Sequence, residues 1–142
     1  MSTQSQTTQM NVAIPVTTHR FLYDFDLHGG AIGAIEIADG FLLPGEYIKQ
    51  AYVEEVVGDN PTSGGSATIA IHVSQANDVL TATAYNDAVF TGTFGAGAPV
   101  DTAASFVKNT GTTALDLTLT IADAALTGGS FYINVVKTGQ RD

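Results

Sequence analysis

Leu115-Asp116-Leu117-Thr118-Leu119-Thr120-Ile121 decides how the rest of the chain reads. An aliphatic residue falls at every second position, with Asp116, Thr118 and Thr120 between them. A helix would scatter such residues around its circumference. A strand stacks them on one face, because successive side chains point to opposite sides. The spacing predicts a half-buried strand, aliphatic inward and polar outward. Downstream, Gly128-Gly129 turns the chain, and Phe131, Ile133 and Val135 alternate with Tyr132 and Asn134 in a closing strand. Upstream, Ala67, Ile69, Ile71 and Val73 alternate with Thr68, Ala70, His72 and Ser74.

The same period runs toward the N-terminus. Phe21, Tyr23, Phe25 and Leu27 are predicted on one strand face, with Leu22, Asp24 and Asp26 on the other. Gly29-Gly30 ends that run. Ile35 and Ile37 share a face opposite Glu36, and Asp39-Gly40 carries the chemistry of a hairpin turn. Pro44-Gly45 marks another turn. Tyr47 to Val57 reads as a long strand whose phase is ambiguous, as a bulge or two-sided burial would make it. Residues 58–65 form a polar loop. Asn77 is a possible cap for a short helical turn near Val79-Leu80. Gly92, Gly95 and Gly97 with Pro99 mark a flexible region.

These elements predict an all-β chain of about eight strands with turns between, an antiparallel β-sandwich of jelly-roll-like form. The expected division is an extended N-terminal arm over 1–18 and one sandwich domain over 19–142. Met1 to Gln9 is rich in Ser, Thr and Gln, with neither the basic nor the apolar run of a secretory signal, so synthesis in the cytoplasm is expected. Pro15 restricts the following Asn11–Val16 stretch to an edge strand at best, because proline has no N–H to donate.

Composition narrows function. Five Lys and Arg against 14 Asp and Glu give a formal net charge of −9, which repels phosphate backbones and anionic lipid. No nucleic-acid or membrane partner is expected, and no apolar run approaches a bilayer span. Only 13% of residues are charged while 44% are hydrophobic, the balance of a surface packed against other proteins. The chain has no cysteine, which removes disulfides, thiolate zinc sites and cysteine nucleophiles.

Catalytic chemistry finds little support. His19, His28 and His72 show no metal-ligand spacing, and no serine occupies a nucleophile elbow. Gly92 to Gly97 matches no phosphate-binding fingerprint. Asp24 and Asp26, with Glu36, make an acidic patch that fits a solvated strand face better than a calcium or acid–base site. No enzymatic activity, cofactor or metal is expected.

Three passages carry a family resemblance. Leu43-Pro44-Gly45-Glu46-Tyr47-Ile48 entering Val53, then Ser66 to Ser74 followed by Asn77-Asp78-Val79-Leu80, then Leu117 to Ile121 with Leu126-Thr127-Gly128-Gly129-Ser130-Phe131-Tyr132-Ile133, together resemble small virion proteins of tailed bacteriophages. The resemblance spans residues 41–137 and implies a capsid decoration, or cement, protein. It implies the major capsid protein as partner, self-association as a trimer or dimer, and a place on the virion surface. The expected contact residues are Val12, Ile14, Val16, Arg20, Tyr23, Asp24 and Asp26. Two alternatives stay open at this level. One is a glycan- or receptor-binding fibre head, with Tyr85 and Phe94 as stacking platform. The other is a further tail or connector component.

Overall fold

The computed structural model describes residues 16–73, 78–92 and 107–138. Ten strands and two single-turn helices occupy them. One sheet takes β1 (Val16–Asp24), β10 (Ser130–Thr138), β3 (Tyr47–Glu55) and β7 (Val107–Lys108), in that spatial order. The second takes β2 (Gly33–Leu42), β8 (Leu115–Ala122), β5 (Thr68–His72) and β6 (Leu80–Ala84). A ribbon of β4 (Thr62–Ser63) and β9 (Leu126–Gly128) stands apart. Every strand pairing is antiparallel. With the ribbon set aside, only the β5–β6 link stays within one sheet; every other step crosses to the opposite layer.

Alternation produces this packing. Leu117, Leu119 and Ile121 of β8 are fully buried, as are Ile69 and Ile71 of β5. They meet Phe131, Ile133 and Val135 of β10 and Val53 of β3 in one core shared by both sheets. The ambiguous phase of β3 resolves as a bulge. Lys137 pairs with Ile48 and Val136 with Gln50, leaving Lys49 as the extra residue. The bulge lets Ile48 point inward with Ala51 and Val53, although their spacing is not even.

Three local expectations are corrected. Asp39-Gly40 is not a hairpin: β2 runs through it with a register shift, Gly40 sits at φ 62°, and its N–H donates to Asp116 Oδ1 at 2.8 Å. A carboxylate on the neighbouring strand thus turns a hairpin signal into a bulge. The first strand stops at Asp24, because the Asp24 side chain caps a single-turn helix α1, Phe25–His28. Phe25 and Leu27 therefore do not continue its face, and Leu27 is 77% exposed. No helix forms at Val79-Leu80, where β6 begins. The turn instead falls at α2 (Ala88–Thr91), capped by Asp87 accepting from Val89 N–H at 3.0 Å. Asn77 and most of the glycine-rich region lie outside the described residues, and so does most of the expected arm. Strand pairing begins at Val16, inside the span assigned to that arm.

Polar anchors close the turns. Asn109, 2% exposed, donates from Nδ2 to Leu42 O and Thr113 O, both at 2.8 Å. Lys137 reaches through the core edge to Glu46 at 2.8 Å and to the carbonyl of Phe41. No buried side-chain nitrogen or oxygen among the described residues lacks a partner.

Candidate functional site

β1 begins at the N-terminal segment, lies at the edge of its sheet and holds most of the expected contact residues. Its even-numbered side chains cover the outer face. Arg20 sits over the Tyr132 ring at 3.6 Å and reaches Glu54 at 3.1 Å. Glu54 also accepts from Asn134 Nδ2 at 3.3 Å. Register brings these groups together, since Arg20 pairs with Asn134 and Tyr132 with Glu54. The Arg20–Glu54 pair is half exposed and contributes under about 1 kcal/mol to stability. It orders a cation, a carboxylate and an aromatic ring on one solvent-facing patch, with the buried Asn134 amide donating to the carboxylate from below. Val16 (56% exposed) and Leu22 (41%) add apolar surface on the same strand.

The expected contact residues therefore separate. Val16, Arg20 and Asp26 are exposed, and Asp24 is partly exposed while serving as the α1 cap. Tyr23 is corrected: it is fully buried, it packs on Phe131, and its hydroxyl donates to Gly29 O at 2.7 Å. Burial, and then the Asp24 charge, push that hydroxyl up to about 12. Tyr23 points inward for the same reason Phe21 does, since odd residues of β1 face the core. Val12 and Ile14 lie outside the described residues.

Asp24 and Asp26 do not join Glu36. Glu36 instead meets Asp39 and Asp116 across the β2 bulge. Repulsion from Asp116 raises the Glu36 carboxyl, while the Gly40 N–H holds Asp116 low. The grouping arises because Gly40 lets β2 fold its acids over β8, a contact between residues 76 apart. His72 bonds Thr120 Oγ1 at 3.3 Å on the outer face. Tyr85 packs partly against the core, and Phe94 lies outside the described residues.

On its inner side β1 presents His19, whose ring meets Phe41 of β2 edge-on at 5.3 Å and stacks with Phe21. This contact bridges the two sheets at their open side. Burial lowers the His19 pKa from 6.5, the Lys137 charge adds to that, and Glu46 opposes it. The unfolded chain therefore takes up a proton at a higher pH than the fold does. Stability is full above the unfolded value and is lost as pH falls from there toward the lowered folded value. Urea midpoints are expected to be lower at about pH 5 than at about pH 7.5, and His19→Phe should shrink that difference. An unchanged difference in His19→Phe would remove His19 as its source.

Comparison with known proteins gives a likeness of fold. No family model matches the chain. No curated protein matches it either. Among solved structures, a chain of the cyanophage Pam1 capsid asymmetric unit superposes with a TM-score of 0.57. The match is 18% identical and covers 96% of this chain and 98% of that one. The end-to-end coverage means the two share an architecture and not a fragment. Among the described residues, no helix is long and apolar enough to cross a membrane.

Proposed function

We propose that this chain is a non-enzymatic structural virion protein, a decoration protein that binds the outer surface of a phage capsid and stabilises contacts between major capsid subunits. The observation that carries this reading is the end-to-end fold likeness to a chain of a cyanophage capsid asymmetric unit. Strand order supports its jelly-roll form. Counted without the ribbon, the eight strands lie as 1-8-3-6 and 2-7-4-5, two antiparallel layers wound around one core.

The physics of the surface suits such a task. A low charge density, an all-β frame and an ordered outer patch on β1 form a contact surface more readily than a cleft. A clamp repeated over many identical sites gains by avidity, so modest contacts per copy suffice. The patch built by Arg20, Tyr132, Glu54 and Leu22, with the N-terminal segment before it, is the proposed contact region. The net charge of −9 disfavours nucleic acid and anionic membrane as partners. Self-association as a dimer or trimer belongs to the same proposal.

The test is mixing with empty phage shells, followed by sedimentation of the particles. The chain is expected to travel with shells, saturate at a fixed ratio to the major capsid protein, and raise the temperature at which shells open. Arg20→Ala is expected to weaken binding while leaving the fold intact. A chain that stays in the supernatant at saturating concentration would end this reading.

A further inference from the structure

The open edge of β1 has a pattern that its own copy fits. Phe25 N–H donates to Gly129 O at 3.0 Å, continuing the β1–β10 register one step beyond the strand. Backbone groups alternate sides along a strand, so Tyr23, Phe21 and His19 direct theirs toward β10. Val16, Thr18, Arg20, Leu22 and Asp24 direct theirs away. Asp24 N–H is taken by His28 Nδ1 at 3.1 Å, which closes the edge at that end. Among the described residues, the main-chain groups of Val16, Thr18, Arg20 and Leu22 meet no partner on the open side.

This edge has less of the usual protection than the others, its one mid-strand charge being Arg20, which is drawn over Tyr132 and Glu54. Sheet edges are normally blunted by short length, bulges, proline or inward charge. β7 has two residues, β6 five, and β2 is broken by two register shifts. β1 runs nine residues in unbroken register, with no proline, glycine or lysine.

We propose that β1 pairs antiparallel with β1 of a second copy about a twofold axis at His19, joining two four-stranded sheets into one. In that register Val16 lies opposite the partner's Leu22, and Thr18 opposite the partner's Arg20. All are outward-directed groups, so each pair exchanges two hydrogen bonds. The two exposed apolar side chains of the strand cover each other across the seam. A twofold at Arg20 would instead set the two guanidinium groups face to face, and one at Thr18 would place Val16 against Arg20 and set Leu22 opposite no described residue. An isologous contact of this kind closes as a dimer. It favours the dimer over the trimer and does not depend on capsid binding.

Three measurements on the full chain test it. Sedimentation should show a monomer–dimer equilibrium reaching into the high micromolar range. Thr18→Pro removes one outward N–H per copy at a position where an edge strand tolerates proline. It should keep the circular dichroism and melting temperature while weakening dimerisation roughly tenfold or more. The chain has no cysteine, so a single His19→Cys variant reads the register directly. Residues facing each other at a non-hydrogen-bonded position sit within disulfide range, and His19→Cys should form a covalent dimer on mild oxidation. Arg20→Cys should not. A chain that is monomeric throughout, a Thr18→Pro variant that dimerises like the parent, or cross-linking by Arg20→Cys in preference to His19→Cys would each overturn the proposal. Should Thr18→Pro fail to fold, the cross-linking pair still decides. A dimer that ignores shells removes the decoration reading and leaves this one standing; a monomer that binds shells does the reverse.

Discussion

Phe131→Ala is expected to lower unfolding free energy by about 3–5 kcal/mol, the range for deleting a fully buried aromatic ring. Phe131 sits on β10, between β1 and β3, with no exposure to solvent. Its ring lies 5.0 Å from Tyr23 of β1 and 5.0 Å from Phe90 of α2, measured between centroids. Losing it opens a cavity where three elements meet, and Tyr23 belongs to a strand that cannot collapse inward without breaking its register with β10. A small domain is stable by only roughly 5–15 kcal/mol, so this one change removes a large share. Urea unfolding measures it, with Phe131→Leu as the milder companion at about 1–2 kcal/mol. A loss under about 1 kcal/mol for Phe131→Ala would show that the three elements do not share one packed core.

Glu46→Ala carries the second large effect, expected at roughly 2–4 kcal/mol. Lys137 is 9% exposed and lies on β10, where an aliphatic residue would be ordinary. Its ammonium bonds Glu46 and the Phe41 carbonyl and sits 4.6 Å from the Phe41 ring centroid. Glu46 in turn accepts from Leu43 N–H at 2.8 Å, so the pair holds the β2–β3 turn to the closing strand. Removing the carboxylate strands a cation among apolar groups. Removing both charges does not, so Lys137→Met should recover much of the loss in the Glu46→Ala background. Chemical denaturation of the four-member cycle reads this coupling. Equal costs for Glu46→Ala with Lys137 present or replaced would rule it out.

The candidate surface was only partly legible beforehand. Val16 and Arg20 lie on the outward side of β1. Tyr23 lies with Phe21 on the apolar face where the alternation grouped them, and that face is the core side, so it offers no outer contact. Asp26 left the strand altogether once Asp24 found a helix to cap. Tyr132, Glu54 and Asn134 carry no local mark of function; they join Arg20 through strand pairing between residues more than 30 positions apart. Pro15 marked only the stretch up to Val16 as an edge; for the rest of β1 the open edge was unreadable, since alternation says which way a side chain points and nothing about which strand lies alongside.

Local sterics therefore account for what the residue order determined by itself: strands instead of helices, their inward and outward faces, and turns at Pro44-Gly45 and Gly128-Gly129. Each of these depends on neighbours a few residues away, and backbone geometry alone enforces the period of two. Only the tertiary structure decided the layer order, the Gly40 bulge, the grouping of Glu36 with Asp39 and Asp116, the burial of Lys137 and the exposure of the β1 edge. Those depend on contacts between distant segments, whose free energy is settled by what the folded core excludes from water and by which polar groups find partners there.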